Sequence, residues 1–233
     1  MNLAFYEKIH FAMYLTFIGG AMDTYTFLKY NAFPVAHSGN LILALSNIYT
    51  HHYDLAIKKG LAVLCFFLGV LFARLMQNLL QKLPGWEVYT LFFEAIIFSL
   101  IGFPIFYNHP SMVIALIAFT VSIQWVLFNT VEGHSYINLY VSGNIKGLGL
   151  NLINYINNPE IKSLKKVKFF IKLILCFFIG AILSLFFSKY LLLNHVFSLV
   201  CYLLLWPLNL FMISFMENNL LYIFTNTELV LST

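Results

Sequence analysis

Two carboxylates sit inside long apolar runs of this chain. Asp23 falls in Ile18-Gly19-Gly20-Ala21-Met22-Asp23-Thr24-Tyr25-Thr26-Phe27, and Glu94 in Phe92-Phe93-Glu94-Ala95-Ile96. An ionised carboxylate in hydrocarbon costs at least ~2.5–3.5 kcal/mol, so each must line a cavity, find a cation or take up a proton. A carboxyl group that exchanges a proton inside an apolar bundle suits ion coupling, and Asp23 and Glu94 are the candidate coupling groups. The structural alternatives are ion pairs, Asp23 with Lys29 and Glu94 with Arg74.

A second chemistry is written twice. Ser38-Gly39-Asn40 and Ser142-Gly143-Asn144 each open a short, moderately apolar stretch, 38–50 and 142–156. A helix N-terminus exposes unpaired N–H groups and about half a positive charge. Ser and Asn add polar groups there, and Gly lets a ligand approach the backbone. Two such tips facing each other would hold an anion or a polar zwitterion. The simpler role for Ser38 and Ser142 is helix N-capping.

Gln124 falls in the second half where Asp23 falls in the first. The expected substrate-binding set is therefore Asp23, Ser38, Gly39, Asn40, Gln124, Ser142, Gly143 and Asn144. Asn129 reads as an interhelical hydrogen-bonding residue. His37 abuts the first tip and, with Asp23, makes the one acid/base pair on offer. HExxH, GxSxG, P-loop and GxGxxG signatures are absent, so no enzyme is expected. Cys65, Cys176 and Cys201 lie in apolar runs without zinc spacing, so neither a metal nor a cofactor is expected.

The elements that must position these groups follow from composition. Of 233 residues, 61% are hydrophobic and 9% charged, against roughly 25% charged in an ordinary soluble domain. The net charge of +4 is spread too thinly to make a nucleic-acid surface. The lipid bilayer is the expected surrounding. A spanning helix needs about 20 apolar residues, and six stretches qualify: roughly 9–29, 55–80, 87–106, 111–131, 168–190 and 194–216. The first of them, which contains Asp23, reads as a retained span. Barrel-type alternation is missing. Stretches 38–50 and 142–156 are too short to cross, and their upstream neighbours, 31–37 and 132–141, read as extended. The expected fold is an all-α integral membrane protein of about six transmembrane helices plus two short broken or re-entrant half-helices.

The halves echo each other. Leu64-Cys65-Phe66-Phe67-Leu68-Gly69 recurs as Leu175-Cys176-Phe177-Phe178-Ile179-Gly180, and the Ser-Gly-Asn landmarks recur in the same order. This predicts two sequence-related halves within one membrane domain, 1–106 and 107–233, an organisation common in secondary transporters. Lys162, Lys165, Lys166, Lys168 and Lys172 form the basic cluster expected on the cytoplasmic side. The expected function is passage of a small anionic or zwitterionic solute, coupled to protons or cations. The alternative is a membrane protein whose polar residues only pack helices and recruit partners. A homodimer is compatible with this size.

These residues resemble a known group. The string Gly19 to Phe27, followed by Ser38-Gly39-Asn40-Leu41-Ile42, resembles the opening of the YoaK family (domain of unknown function 1275), with its G-[GF]-x-x-D-[AS]-[YF] and T-G-N blocks. Gln124 with Phe128-Asn129, then Val141-Ser142-Gly143-Asn144, is similar to the family's Q-N-A and T-G-N blocks. The resemblance spans essentially the whole chain. Ser replaces the usual Thr before Gly-Asn and keeps the hydroxyl. Trp125 replaces the Asn that often follows Gln. The resemblance implies a small bacterial inner-membrane protein of about six transmembrane helices and supplies no substrate.

Overall fold

The computed structural model describes residues 7–81, 83, 86–106 and 108–190; the expected span 194–216 lies outside them. Seven helices are described: α1 (Ile9–Tyr30), α2 (His37–Tyr49), α3 (Tyr53–Leu80), α4 (Trp86–Ile101), α5 (Pro110–Leu127), α6 (Ser142–Asn157) and α7 (Ile161–Tyr190). They match the expected spans 9–29 and 55–80 and both short stretches to within a few residues, whereas α7 begins seven residues ahead of the expected 168–190 and takes in Lys162, Lys165 and Lys166. Span 87–106 is shorter than expected. The α-helix stops at Ile101, before Gly102 and Pro104, and only a 3-10 turn over Pro104–Phe106 follows. Proline has no N–H to continue a helix and disfavours helical backbone in the residue before it.

Span 111–131 also ends early, at Leu127. Thr130–Val131 (β1) and His134–Ser135 (β2) form a two-stranded hairpin, with Val131 opposite His134. Its loop is Glu132-Gly133, both with positive φ (48° and 75°). That pair is the two-residue hairpin turn matched to strand twist, and glycine takes its second place without strain. The segment expected to be simply extended thus holds a local fold. The first link is different: Asn31 ends α1 in left-handed backbone, its N–H returning to the Phe27 carbonyl.

Helix pairing crosses the chain. α1 runs along α7 and α3 along α5, while α1 and α5 meet only over a short stretch; α2 lies on α3, α6 on α7 and α4 on α5. A Cβ on Gly20 would collide with the Phe177 carbonyl, one on Gly180 with the Phe17 carbonyl, and one on Gly69 with the Phe119 carbonyl and the Ser122 hydroxyl. Such backbone contact is how helices associate where lipid removes the hydrophobic drive between them. The order of contacts makes α1 and α7 antiparallel. Phe66 against Trp125 and Phe72 against Phe119 do the same for α3 and α5.

The core centres on Leu15, Ile18, Met22, Tyr25, Phe98 and Ile117, with a second cluster of Ala12, Val131, Tyr136, Phe169, Phe170 and Leu173. The outer faces are as apolar as the inside. Leu64, Phe67, Leu71 and Leu75 on α3, and Leu175, Phe178, Ile182 and Phe186 on α7, are each about half exposed. Helices α3, α5 and α7 are long and apolar enough to cross a membrane. An apolar exterior of this extent belongs in lipid, and the chain is a membrane-inserted helical protein.

Candidate functional site

The two Ser-Gly-Asn tips begin α2 and α6, and their asparagines turn backwards. Asn40 accepts the Phe33 N–H through Oδ1 (3.3 Å) and donates Nδ2 to the Phe33 carbonyl. Asn144 accepts the Ile137 N–H (3.2 Å) and donates to the Ile137 carbonyl (2.6 Å). Each amide thus copies the edge of a peptide and satisfies an irregular link that has no ladder partner. Both side chains are fully buried, at 0% and 1% exposure. Ser38 is the second residue of α2 and Ser142 the first of α6. The residues preceding these helices, Ala36 and Val141, supply no side-chain cap. Gly39 faces open space, with no atom within 4 Å of a would-be Cβ, whereas Gly143 lies against Ile137.

A chain of polar side chains crosses the core. The satisfied orientation of the Gln124 amide donates its nitrogen to Glu94 Oε1 (2.6 Å) and Oε2 (3.2 Å), and its oxygen accepts Nδ2 of Asn138 (3.1 Å). Asn138 Nδ2 also reaches the Phe128 carbonyl at the end of α5 (3.4 Å). All three side chains are buried, Glu94 at 3% exposure. Asn138 Oδ1 has no partner. The Asn138 main chain is fixed from the other side, because its carbonyl sits where a Gly19 Cβ would be. Arg74 turns to Gln77, so the alternative pairing of Glu94 with Arg74 is not made.

Asp23 is held differently. Its Oδ1 is buried without a hydrogen-bond partner. Lys29 donates to the Tyr25 hydroxyl (3.1 Å) and lies over the Tyr25 and Tyr30 rings. Both ring nitrogens of His37 are likewise buried and unpartnered. The His37 ring is 4.2 Å from Phe66, and a row of edge-to-face contacts continues through Trp125 to Tyr140. This row joins α2, α3, α5 and the second link, so Trp125 contributes a packing surface in place of an amide.

Three features escaped the sequence reading. Asn138 sits in a link with no periodic signal. Lys58 and Lys59 are buried and donate to the carbonyls of Tyr30 and Asn31 (2.8 Å for Lys59). They close the C-terminal end of α1, where unpaired carbonyls and the helix dipole favour cations. The β1–β2 hairpin brings His134 near Lys162 and Lys166. Burial, then Lys166, with Lys162 contributing less, holds the His134 imidazole below its ordinary range, and Glu132 opposes the shift. Among the described residues no cluster of three His, Cys, Asp or Glu could hold a metal ion.

Residues 11–210 match a family model described as "Protein of unknown function (DUF1275)". No curated protein and no solved structure matches the chain.

Proposed function

The chain belongs to the DUF1275 family of proteins of unknown function, and we propose that it is a multi-pass carrier of a small anionic or zwitterionic solute, coupled to protons or cations. In this reading it lies in a bacterial inner membrane as about six crossing helices and two half-helices from two related halves. The basic cluster from Lys162 to Lys172 faces the cytoplasm. Asp23, the two Ser-Gly-Asn tips and Gln124 line the solute path, and Asp23 and Glu94 exchange the coupling ion. No catalytic step is assigned.

The observation that carries this reading is the unpartnered Asp23 carboxylate oxygen within an apolar bundle. A buried polar atom left unpaired costs about 1–3 kcal/mol, more when charged. Such a cost persists where a ligand or a proton relieves it. The unpartnered His37 nitrogens add to it. Support for two halves comes from matched contacts. Phe33 with Asn40 and Ile137 with Asn144 use the same bonds at the same seven-residue separation, and Gly69 and Gly180 both receive a phenylalanine carbonyl.

The test is flux into vesicles of purified full-length protein under an imposed pH gradient, across a panel of amino acids and small organic anions. At least one solute should give a pH-dependent current that Asp23→Asn abolishes. No current across the panel, or an Asp23→Asn variant that carries at full rate, removes the proposal. The second reading, a packing and interaction protein, draws on one observation: Asn40 and Asn144 spend their amides on their own chain.

A further inference from the structure

We propose that one flank of α7 is a recognition surface for anionic phospholipid, on which Lys165, Lys168 and Lys172 hold the headgroups of one leaflet. These lysines advance by three and four residues, the spacing that stacks side chains on one face of a helix. All three are exposed, while Phe169, Phe170 and Leu173 turn the other way into the core. The outward face continues through Leu175, Ile179, Ile182 and Phe186, each about half exposed, to Lys189. It therefore reads basic, apolar, basic. Lys162 and Lys166 lie around the helix, close enough for His134 to feel their charge, and belong to the hairpin side.

The spacing fixes the depth of each lysine. Lys172 and Lys189 are seventeen residues apart, about 25 Å along a helix. Flexible lysine stems reaching outward at both ends extend that to the ~30 Å of a hydrocarbon core. Lys172 thus marks the edge of the hydrocarbon. Lys168 and Lys165 follow at about 6 and 10 Å beyond it, through the headgroup layer. A soluble polyanion would have to pass that layer to reach Lys172 from the side. A phospholipid is already there, its phosphate level with the lysines and its acyl chains along Leu175 and Ile179.

The charge on this flank has no counterpart within the protein. The 30 residues of α7 include no acidic side chain. Glu160, just ahead of the helix, stands five residues from Lys165, off the three- and four-residue spacings that bring helix side chains together. The amino end of a helix is itself the positive end of its dipole and gives cations no support. Among the described residues, none of the three lysines makes a hydrogen bond or an ion pair. α3 is the contrast: Lys58 and Lys59 turn inward and spend their charge on the carbonyls ending α1. The three lysines of α7 are left to the membrane. This surface stands whether or not the chain carries a solute.

Equilibrium binding of radiolabelled dioctanoylphosphatidylglycerol and dioctanoylphosphatidylcholine to the full-length protein in detergent tests this. The anionic lipid should bind more tightly, and its advantage should shrink as salt rises. Lys165→Gln, Lys168→Gln and Lys172→Gln should each weaken phosphatidylglycerol binding about fivefold and leave phosphatidylcholine unchanged. The triple Lys→Arg variant keeps the charge and should bind as the native chain does. Because the three side chains are exposed, melting temperatures should stay native, which reports that each variant is folded. Inorganic phosphate at the lipid's concentration should not displace phosphatidylglycerol, since it brings no acyl chains to the apolar face. Displacement by phosphate would make this a soluble-anion site and overturn the lipid reading. Equal affinity of the native chain for the two lipids, or an undiminished preference in the triple Lys→Gln variant, would overturn it as well.

Discussion

The Asn138 carbonyl occupies the space that a side chain on Gly19 would need. That one contact locks the second link against the first helix, at the residue whose amide reaches Gln124. It also accounts for one of the two adjacent glycines in α1. The other, Gly20, faces the Phe177 carbonyl of α7. A short stretch of α1 is thus pressed from two sides by backbone.

Gly19→Ala and Gly20→Ala should each destabilise the protein by about 1–3 kcal/mol, because the neighbour in each case is main chain that cannot swing aside. Gly39→Ala is the contrasting case. Its Cβ meets nothing, and alanine is the better helix former, so stability should hold or rise by about 0.5–1 kcal/mol. Thermal unfolding of purified protein in detergent separates the three. If Gly39→Ala nevertheless lowers flux in an intact fold, the tip needs its bare backbone for the solute.

Asn40→Ala should leave the Phe33 N–H and carbonyl buried without partners, and Asn144→Ala should do the same at Ile137. A loss of about 1–3 kcal/mol is expected for each. Asn→Asp at either site should be no milder, since it keeps the acceptor, loses the donor and buries a charge. Equal losses in the two halves would support the duplication; a variant as stable as the native chain would contradict the clamp.

Lys59→Met removes the donor to the Asn31 carbonyl while keeping most of the side chain's length. The C-terminal end of α1 should fray, at a cost of about 1 kcal/mol. Faster amide exchange at Phe27 to Asn31, with α7 unchanged, is the expected signature. Unaltered exchange there would show that the lysine does not hold the helix end.

Acid should weaken the hairpin through His134. Its imidazole titrates lower in the folded protein than in the unfolded chain, so the unfolded state binds the proton first. Stability from this group is therefore full above the ordinary value of about 6.5 and is lost as pH falls through it. His134→Gln should flatten that part of a melting-temperature profile against pH. A profile with the native slope would assign the acid sensitivity elsewhere.

Sequence alone determined what depends on neighbours along the chain. Long runs of Leu, Phe and Ile need no tertiary knowledge to be read as lipid-embedded helices, and α1 and α3 sit where those runs place them, while α7 extends two turns further into the basic stretch. The two short helices were legible for the same reason, since Ser-Gly-Asn after an extended stretch marks a helix start. Where apolar content and backbone punctuation disagreed, punctuation won. Pro104 cut one span short, and the Glu132-Gly133 turn drew Val131 out of another.

What only the folded chain decided is partnership across space. Nothing in the letters pairs α1 with α7 or α3 with α5, because the glycine contacts that join them link residues more than a hundred positions apart in α1 and α7. The letters Asn40 and Asn144 announce polar groups, but whether an amide faces a solute or its own backbone depends on where the link passes. Asn138, Lys58 and Lys59 carried no pattern at all. A hydrogen bond is made by the atoms that arrive within three ångströms or so, and in this bundle most of the telling ones arrive from distant turns of the chain.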